Sequence, residues 1–443
     1  MTRPQRQMRL SLSVAHLGYH PAAWRLPGVP ADGTMNFAHY VNCARIAERG
    51  ALDFLFLADV SAVRNFADPR VARDREQQHA KHEPLTLIAA LAAATRDIGL
   101  VATASTSFQD PYNLARRFAT VDHISGGRAA WNMVTSWSAD EARNFGLETT
   151  GDSDTRHARA SEFAALVKDL WSGEGLGPDG AARHAGRFFT VDGSLDVARP
   201  PQGHLPLATA GASDNAQEFA AAHADIVYAG QPDLQLARNY YASVKARLPR
   251  YGRTEDSLLI MPGVMTVLGR TEDEAQEKLA RLSALLSPEV GYGQLVISGF
   301  PDLSLWPIDG PIPDFADDQS IGGTGAQPAA FAQRLLDIAR AQNSTIRQFM
   351  EMVCAGNLWQ LTLVGTPKMV ADRLEEWFVT RAADGFNLQA AYLPGAAEDF
   401  VELVLPELRR RGLFREGYAR EGETLRERLG LAPWRGRAFA DSV

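Results

Sequence analysis

Residues 123–137 read HISGGRAAWNMVTSW. A Gly-Gly turn at Gly126 and Gly127 leads into a short run with strand character, Ala129 to Val134. The run brings an indole, a carboxamide and two hydroxyls, at Trp131, Asn132, Thr135 and Ser136. A strand serving only a core would finish in Val, Ile or Leu. A polar finish implies that the end of this strand faces something to be held.

Outward from this stretch the chain alternates strand with helix. LSLSVA (10–15) precedes a helix near Phe37 to Glu48, LDFLFLAD (52–59) one near Leu85 to Thr95, and IGLVATAS (98–105) one near Tyr112 to His123. AAWNMV is followed by Ala158 to Leu170, LPLATAG (205–211) by Asn215 to His223, and ADIVYAG (224–230) by Leu234 to Leu248. LLIMPGVMTVLG (258–269) precedes Glu272 to Leu285, and FNLQAAYL (386–393) precedes Ala397 to Arg411. Eight such units across 443 residues favour a TIM (β/α)8 barrel over an open doubly wound sheet, as a single domain, 1–443, with insertions. Two segments break the rhythm. Residues 172–204, rich in Gly, Pro and Asp, read as an excursion between the fourth and fifth strands. Residues 288–327, with WPIDGPIPDF and SIGGTGAQP, read as a loop-like insertion ahead of a helix pair near Pro328 to Cys354. Over the C-terminal rim of a barrel such an insertion is expected to act as a lid.

The composition, 45% hydrophobic and 22% charged, is globular with ample material for a core. A net charge of −8 without a basic cluster argues against a nucleic-acid partner, whose phosphates demand a cationic footprint. Cys43 and Cys354 lack CxxC spacing, so neither a disulfide framework nor a thiolate metal site is supported, and a reducing cytoplasm fits. LSLSVAHLG, behind Arg3, Arg6 and Arg9, is too short and too polar for an export signal. No apolar run approaches the roughly 20 residues a membrane helix needs.

In a closed barrel Asp59, Thr103, Ser105, Asn132, Thr135 and Ser213 converge on one rim. Their amides and hydroxyls together suit the hydrogen-bonding edge of a flat heteroaromatic ligand, while each taken singly is better explained by strand-end capping. GASDNAQEFAAAH sets Gly211, Ala212 and Ser213 between a strand and a helix start. That is a cradle for an anion such as phosphate, or else a plain serine N-cap. His79 and His82 in HAKH lack an HExxH context and read as a solvated loop rather than a metal site.

DHISGGRAAWNMVTS, with EARNFG close behind, resembles the signature region of the nitrilotriacetate monooxygenase and dibenzothiophene-sulfone monooxygenase family, two-component flavin enzymes of the bacterial-luciferase type. YHPAAWR, AERGALDFLFLAD, EPLTLIAALAAATRDIGLVATAS, LVGTPKMVADRLEEWF, ADGFNL and LPELRRRGLFREGY extend the resemblance in order along nearly the whole chain. It implies a luciferase-like TIM barrel that accepts reduced FMN from a separate NAD(P)H:flavin reductase and uses O2 to oxygenate a small organic substrate, within a homodimer or homotetramer. A sulfur-, nitrogen- or carbon-centred substrate is equally compatible. The resemblance also implies flavin contacts at Asp59, Thr103, Asn132, Ala212 and Ser213, with Ser213 on the phosphate and Asn132 at the reacting centre. His20 and Trp24 would approach flavin and substrate. His20 is the candidate hydrogen-bonding or acid/base group, because imidazole titrates near neutral pH.

Where the family carries HDERYxRA, this chain has SDTRHARA, so Ser153 and His157 replace a His and a Tyr that help hold FMN. On a helix the i, i+4 spacing would keep both on one face. Two further readings are a non-catalytic flavin-binding barrel, in which the pocket survives without turnover, and a deazaflavin-dependent oxidoreductase; against the deazaflavin alone, the GGRAAWNMVTS segment points to FMN.

Overall fold

The computed structural model describes residues 6–15, 17–30, 32–62, 80–173, 183–315, 329–356 and 360–433. Its strands are β1 (Arg9–Ser13), β2 (Phe54–Leu57), β3 (Gly99–Ser105), β4 (Ala129–Val134), β5 (Arg183–Ala185), β6 (Thr190–Asp192), β7 (Leu207–Ala210), β8 (Ile226–Ala229), β9 (Leu259–Leu268), β10 (Leu361–Gly365) and β11 (Gly385–Ala390). Eight of them, β1, β2, β3, β4, β7, β8, β9 and β11, pair in parallel and close on themselves, since β11 bonds both β1 and β9. The TIM barrel expected from eight βα units is therefore present.

Local chemistry explains the punctuation around the signature stretch. The helix Pro111–Ser125 starts where the Asp110 carboxylate accepts from Asn113 N, with proline in its first turn, and stops at Gly126, whose φ of 66° closes the helix in the left-handed region. The chain then enters β4, whose residues alternate between the two faces of the barrel wall. Trp131 points outward, fully buried against Phe118 and Phe163 of the surrounding helices. Asn132 points inward.

Inward-facing Phe54, Phe56, Val101, Ala130, Ala208, Ile226 and Met261 form the barrel floor, together with Leu425, Leu429 and Leu431 of the C-terminal segment. That segment, led by a short helix Leu425–Arg428 with a Thr424/Glu427 capping box, plugs the N-terminal end of the barrel. Gly99 makes room for it: a Cβ there would stand 2.7 Å from Leu425 Cδ1.

Three elements differ from the sequence reading. Residues 288–327 are not a loop-like insertion throughout. Pro288–Ile297 is a helix, capped by Ser287, and it joins the helices Ala329–Ala341 and Ile346–Gly356 around a separate core of Leu295, Phe300, Leu303, Leu336, Phe349 and Met350. Its sequence, PEVGYGQLVI, is apolar on most faces and so lacks the amphipathic signature of a surface helix. WPIDGPIPDF is irregular, but Ile308, Ile312 and Phe315 pack onto that core; SIGGTGAQP lies outside the described residues. Second, β10 has no counterpart in the eight-strand reading. It adds outside the barrel along the upper half of β9, from Leu361 opposite Val264 to Gly365 opposite Leu268. Its half-buried residues give no clean alternation. Third, the excursion after the fourth unit carries the β5–β6 hairpin, with residues 174–182 outside the described set. Among the described residues no helix is long and apolar enough to cross a membrane.

Leu425→Ala would remove a fully buried side chain of the plug from the floor. The loss expected is about 2 to 5 kcal/mol of unfolding free energy in denaturant titration, as for other buried Leu→Ala changes. A shift below ~1 kcal/mol would show that the plug is dispensable to the barrel.

Candidate active site

One residue pair above the floor, period 2 brings Thr103, Asn132, Ala210, Tyr228 and Gly263 onto the inner face at the C-terminal rim. Ala58 and Ala210 are exposed there, so the mouth is open. β3 and β4 pair with Thr103 directly opposite Asn132. Asn132 Nδ2 donates to Thr103 Oγ1 at 2.9 Å, and Thr103 Oγ1 donates in turn to Leu57 O at 2.8 Å. This chain fixes the carboxamide and leaves Asn132 Oδ1 buried without a hydrogen-bond partner. A buried acceptor in that condition is costly unless something supplies a donor.

The remaining rim residues sit around this pair. Asp59 lies at the end of β2, half-buried, with Lys81 Nζ at 2.5 Å from its carboxylate. Asp59, Thr103 and Ser105 share a side cavity of about 50 Å3 with Glu83 and Glu141, room for water rather than for a ring. Ser105 and Ser136 hydroxyls meet at 2.9 Å, and Ser136 donates to Glu141 at 3.2 Å, so those two hydroxyls hold the rim itself. Trp24 lies half-buried in a single 3-10 turn, Ala23–Arg25, under the Arg25 guanidinium at 4.7 Å.

His20 is 2% exposed. Its Nδ1 accepts from Ala22 N at 3.2 Å, so the ring proton resides on Nε2, which is buried and unpartnered. Burial lowers its pKa to about 4. The expectation that it titrates near neutrality is therefore corrected: at neutral pH His20 is an uncharged hydrogen-bond donor.

Two helix N-termini meet beyond β7. Ser213 caps the helix Asp214–His223, accepting from Ala216 N at 3.3 Å, and both Ala212 and Ser213 are exposed. The segment carrying SDTRHARA is helical, Ser153–Ser172, capped by Asp152. Asn215 Nδ2 bridges the two helices, to Ser153 Oγ at 3.3 Å and Asp154 Oδ1 at 2.6 Å. His157 Nδ1 donates to Ser153 O at 2.8 Å. Ser153, His157, Ala212 and Ser213 thus come together, whereas His20, Trp24 and Asn132 belong to the barrel mouth. Gly211, at φ 141°, is required at this junction, since a Cβ would stand 2.6 Å from Ala216 Cβ.

Sequence reasoning missed Asn215 and a polar cluster on the far side of the mouth. Tyr228 OH accepts from Gln389 Nε2 at 2.6 Å and from Gln360 Nε2. Tyr19 OH bonds Ser13 Oγ nearby. The signal was available in the inward period of ADIVYAG and FNLQAAYL, where Tyr228 and Gln389 fall on the polar-rim positions. His82 Nε2 bonds Met35 O at 3.1 Å, while His79 lies outside the described residues. Among the described residues no three His, Cys, Asp or Glu side chains gather as a metal site.

Residues 16–385 match the family described as luciferase-like monooxygenase. The chain is 40% identical to nitrilotriacetate monooxygenase component A of Aminobacter aminovorans, over 96% of this chain and 97% of that one. It is 38% identical to N-acetyl-S-(2-succino)cysteine monooxygenase of Bacillus subtilis strain 168, over 97% and 98%. Among solved structures it is similar to a riboflavin lyase holding modified FMN and riboflavin, with a TM-score of 0.79, 29% identity and 96% of each chain covered.

The buried imidazole carries a pH consequence. Its folded pKa, about 4, lies below the ordinary 6.5, so the unfolded chain binds the proton first. Stability contributed by His20 is full above about 6.5 and is lost as pH falls toward 4. His20→Gln removes that dependence, so the stability gap between wild type and variant is expected to shift by up to about 3 kcal/mol across this window. Parallel stability curves from pH 7 to pH 4 would disprove it.

Proposed function

The chain belongs to the luciferase-like monooxygenase family, and from that premise we propose that it is the oxygenase component of a two-component system, receiving reduced FMN from a separate NAD(P)H:flavin reductase and using O2 to oxygenate a small organic substrate. The observation that carries the flavin assignment is the fixed carboxamide of Asn132, whose Oδ1 is buried at the open barrel mouth without a donor. The polar edge of a flavin ring supplies such donors. Support for FMN comes from the riboflavin lyase described above, and support for a separate reductase from the relative named as component A.

When bound, reduced FMN supplies electrons and the site of O2 activation. The protein's part is to hold, orient and keep dry. Thr103 and Asn132 would hold the ring edge, Asp59 would flank it, and Ala212, Ser213, Ser153 and His157 would meet the phosphate at the paired helix N-termini. The carboxylates of Asp154 and Asp214 stand close to that position, but each is engaged, by Asn215 at 2.6 Å and Arg247 at 2.5 Å. His20, neutral and with a free Nε2–H, would donate a hydrogen bond toward ring or substrate. The helices Pro288–Ile297, Ala329–Ala341 and Ile346–Gly356 would exclude water from above. Arg334 ties them to Asp233, just after β8, at 2.9 Å.

The deciding experiment supplies the protein with FMN, a flavin reductase, NADH and a panel of sulfur-, nitrogen- and carbon-centred substrates under 18O2. Incorporation of one labelled atom that requires FMN is expected. Turnover with a reduced deazaflavin and none with FMN would refute the reading. Asn132→Ala should lower oxygenation about 10- to 100-fold at unchanged melting temperature, because the carboxamide orients rather than packs. Normal turnover by a normally folded variant would remove Asn132 from the site.

The family pair can also be restored. Ser153→His with His157→Tyr returns the imidazole and the phenol hydroxyl of the family pair, so FMN should bind more tightly by about 1 to 3 kcal/mol. Anaerobic titration of wild type and double variant measures this, and an unchanged dissociation constant would separate these residues from the phosphate.

A further inference from the structure

We propose that Tyr228 and Gln360 form a substrate-recognition pair for an uncharged group that both accepts and donates a hydrogen bond, with a secondary amide as its simplest form. The proposal rests on the reading above only for the chemistry that follows binding.

Tyr228 lies on the inner face of β8, stacked over Phe56 of the floor at 6.1 Å and 26° between planes, with part of its ring open to the mouth. Its oxygen already accepts two amide hydrogens, from Gln389 Nε2 and Gln360 Nε2. A phenol oxygen has two lone pairs, so both are occupied and the O–H is left to donate. Gln360 is 7% exposed, and its Oε1 is buried without a partner. One donor and one acceptor therefore stand side by side, joined through the Gln360 amide. That spacing suits the C=O and N–H of one amide group.

Gly263 supports the same assignment. It sits mid-strand in β9, where glycine weakens the strand and often marks a close approach of other groups. A Cβ at 263 would stand 2.5 Å from Gln360 Oε1 and 2.7 Å from Tyr228 OH, so glycine is what admits the pair.

The surroundings select against charge. Burial first, and Tyr19 after it, hold the Tyr228 hydroxyl well above the usual phenol range, against the opposing pull of the Gln389 hydrogen bond. Burial and Ser13 alone act on Tyr19, and burial alone on His20. No cation among the described residues acts on these three side chains, so a carboxylate entering here would lose its hydration and meet neutral dipoles, whereas an amide exchanges water for two matched hydrogen bonds.

Gln360 also links recognition to the cover. It is the first described residue after the helical unit and directly precedes β10, so the acceptor is delivered by the chain that returns from the cover to the barrel.

The test titrates the full-length protein with N-methylbenzamide and with benzoate, alike in shape and unlike in charge, by calorimetry at neutral pH. The amide is expected to bind at least about tenfold more tightly. Tyr228→Phe and Gln360→Leu should each weaken the amide about five- to tenfold, the worth of one hydrogen bond, and leave benzoate in place. Equal affinity for the two probes, no saturable binding of the amide, or an unchanged amide constant in both variants overturns the proposal. FMN titration of the same samples reads the flavin assignment separately: loss of FMN binding with amide selectivity intact would count against that assignment alone.

Discussion

Three buried or half-buried carboxylates hold the barrel shut at its N-terminal rim. Asp53 Oδ2 accepts from Leu10 N at 2.7 Å, Asp225 Oδ2 from Leu207 N at 3.0 Å, and Asp384 Oδ2 from Ile260 N at 2.9 Å. In each case an acid placed just before one strand satisfies the first backbone donors of its neighbour: β2 onto β1, β8 onto β7, β11 onto β9. Each is matched by cations, Arg9 and Arg415 for Asp53, Arg426 and Arg253 for Asp225, Lys245 and Arg6 for Asp384. Arg415 and Arg426 belong to the C-terminal segment, so the floor plug and the carboxylate staples are one device. An acid of this kind stripped of its partners would leave an uncompensated charge, which costs several kcal/mol.

With closure secured at one rim, the other can carry groups that do not stabilise it. Asn132 Oδ1, His20 Nε2 and Gln360 Oε1 are buried there without partners, and the exposed Ala210 leaves the mouth open. Each such atom is a debit against folding that the floor offsets. The same strands serve both ends, because alternation sends Trp131 into the core and Asn132 into the mouth.

The barrel was legible because every strand and helix of a parallel barrel repeats one signal, and short errors at strand ends do not disturb a count. β2 is four residues where eight were read, yet its place in the order is right. Thr103, Asn132 and the Ser213 cap were legible as polar strand ends. Three things were not. Tyr228 and Gln389 sit inside runs whose hydrophobicity dominated the reading, and their inward direction emerges only once the register is known. Gln360 follows a unit whose first helix is apolar on most faces, which reads from sequence as an unstructured insertion. The His20 pKa depends on burial from several elements at once, and an isolated YHPAAWR gives no measure of that.

The helical unit of residues 288–356 has its own core, separate from that of the barrel, and returns to the barrel through β10, zipped along β9 outside the closed ring. Substitutions between its packed residues are thus energetically remote from barrel closure, and their effects should add to those of barrel substitutions rather than multiply. That independence gives lineages sharing this barrel a way to vary. The helical unit can drift in sequence and shape while the ring of strands and its carboxylate staples continue to fold as before.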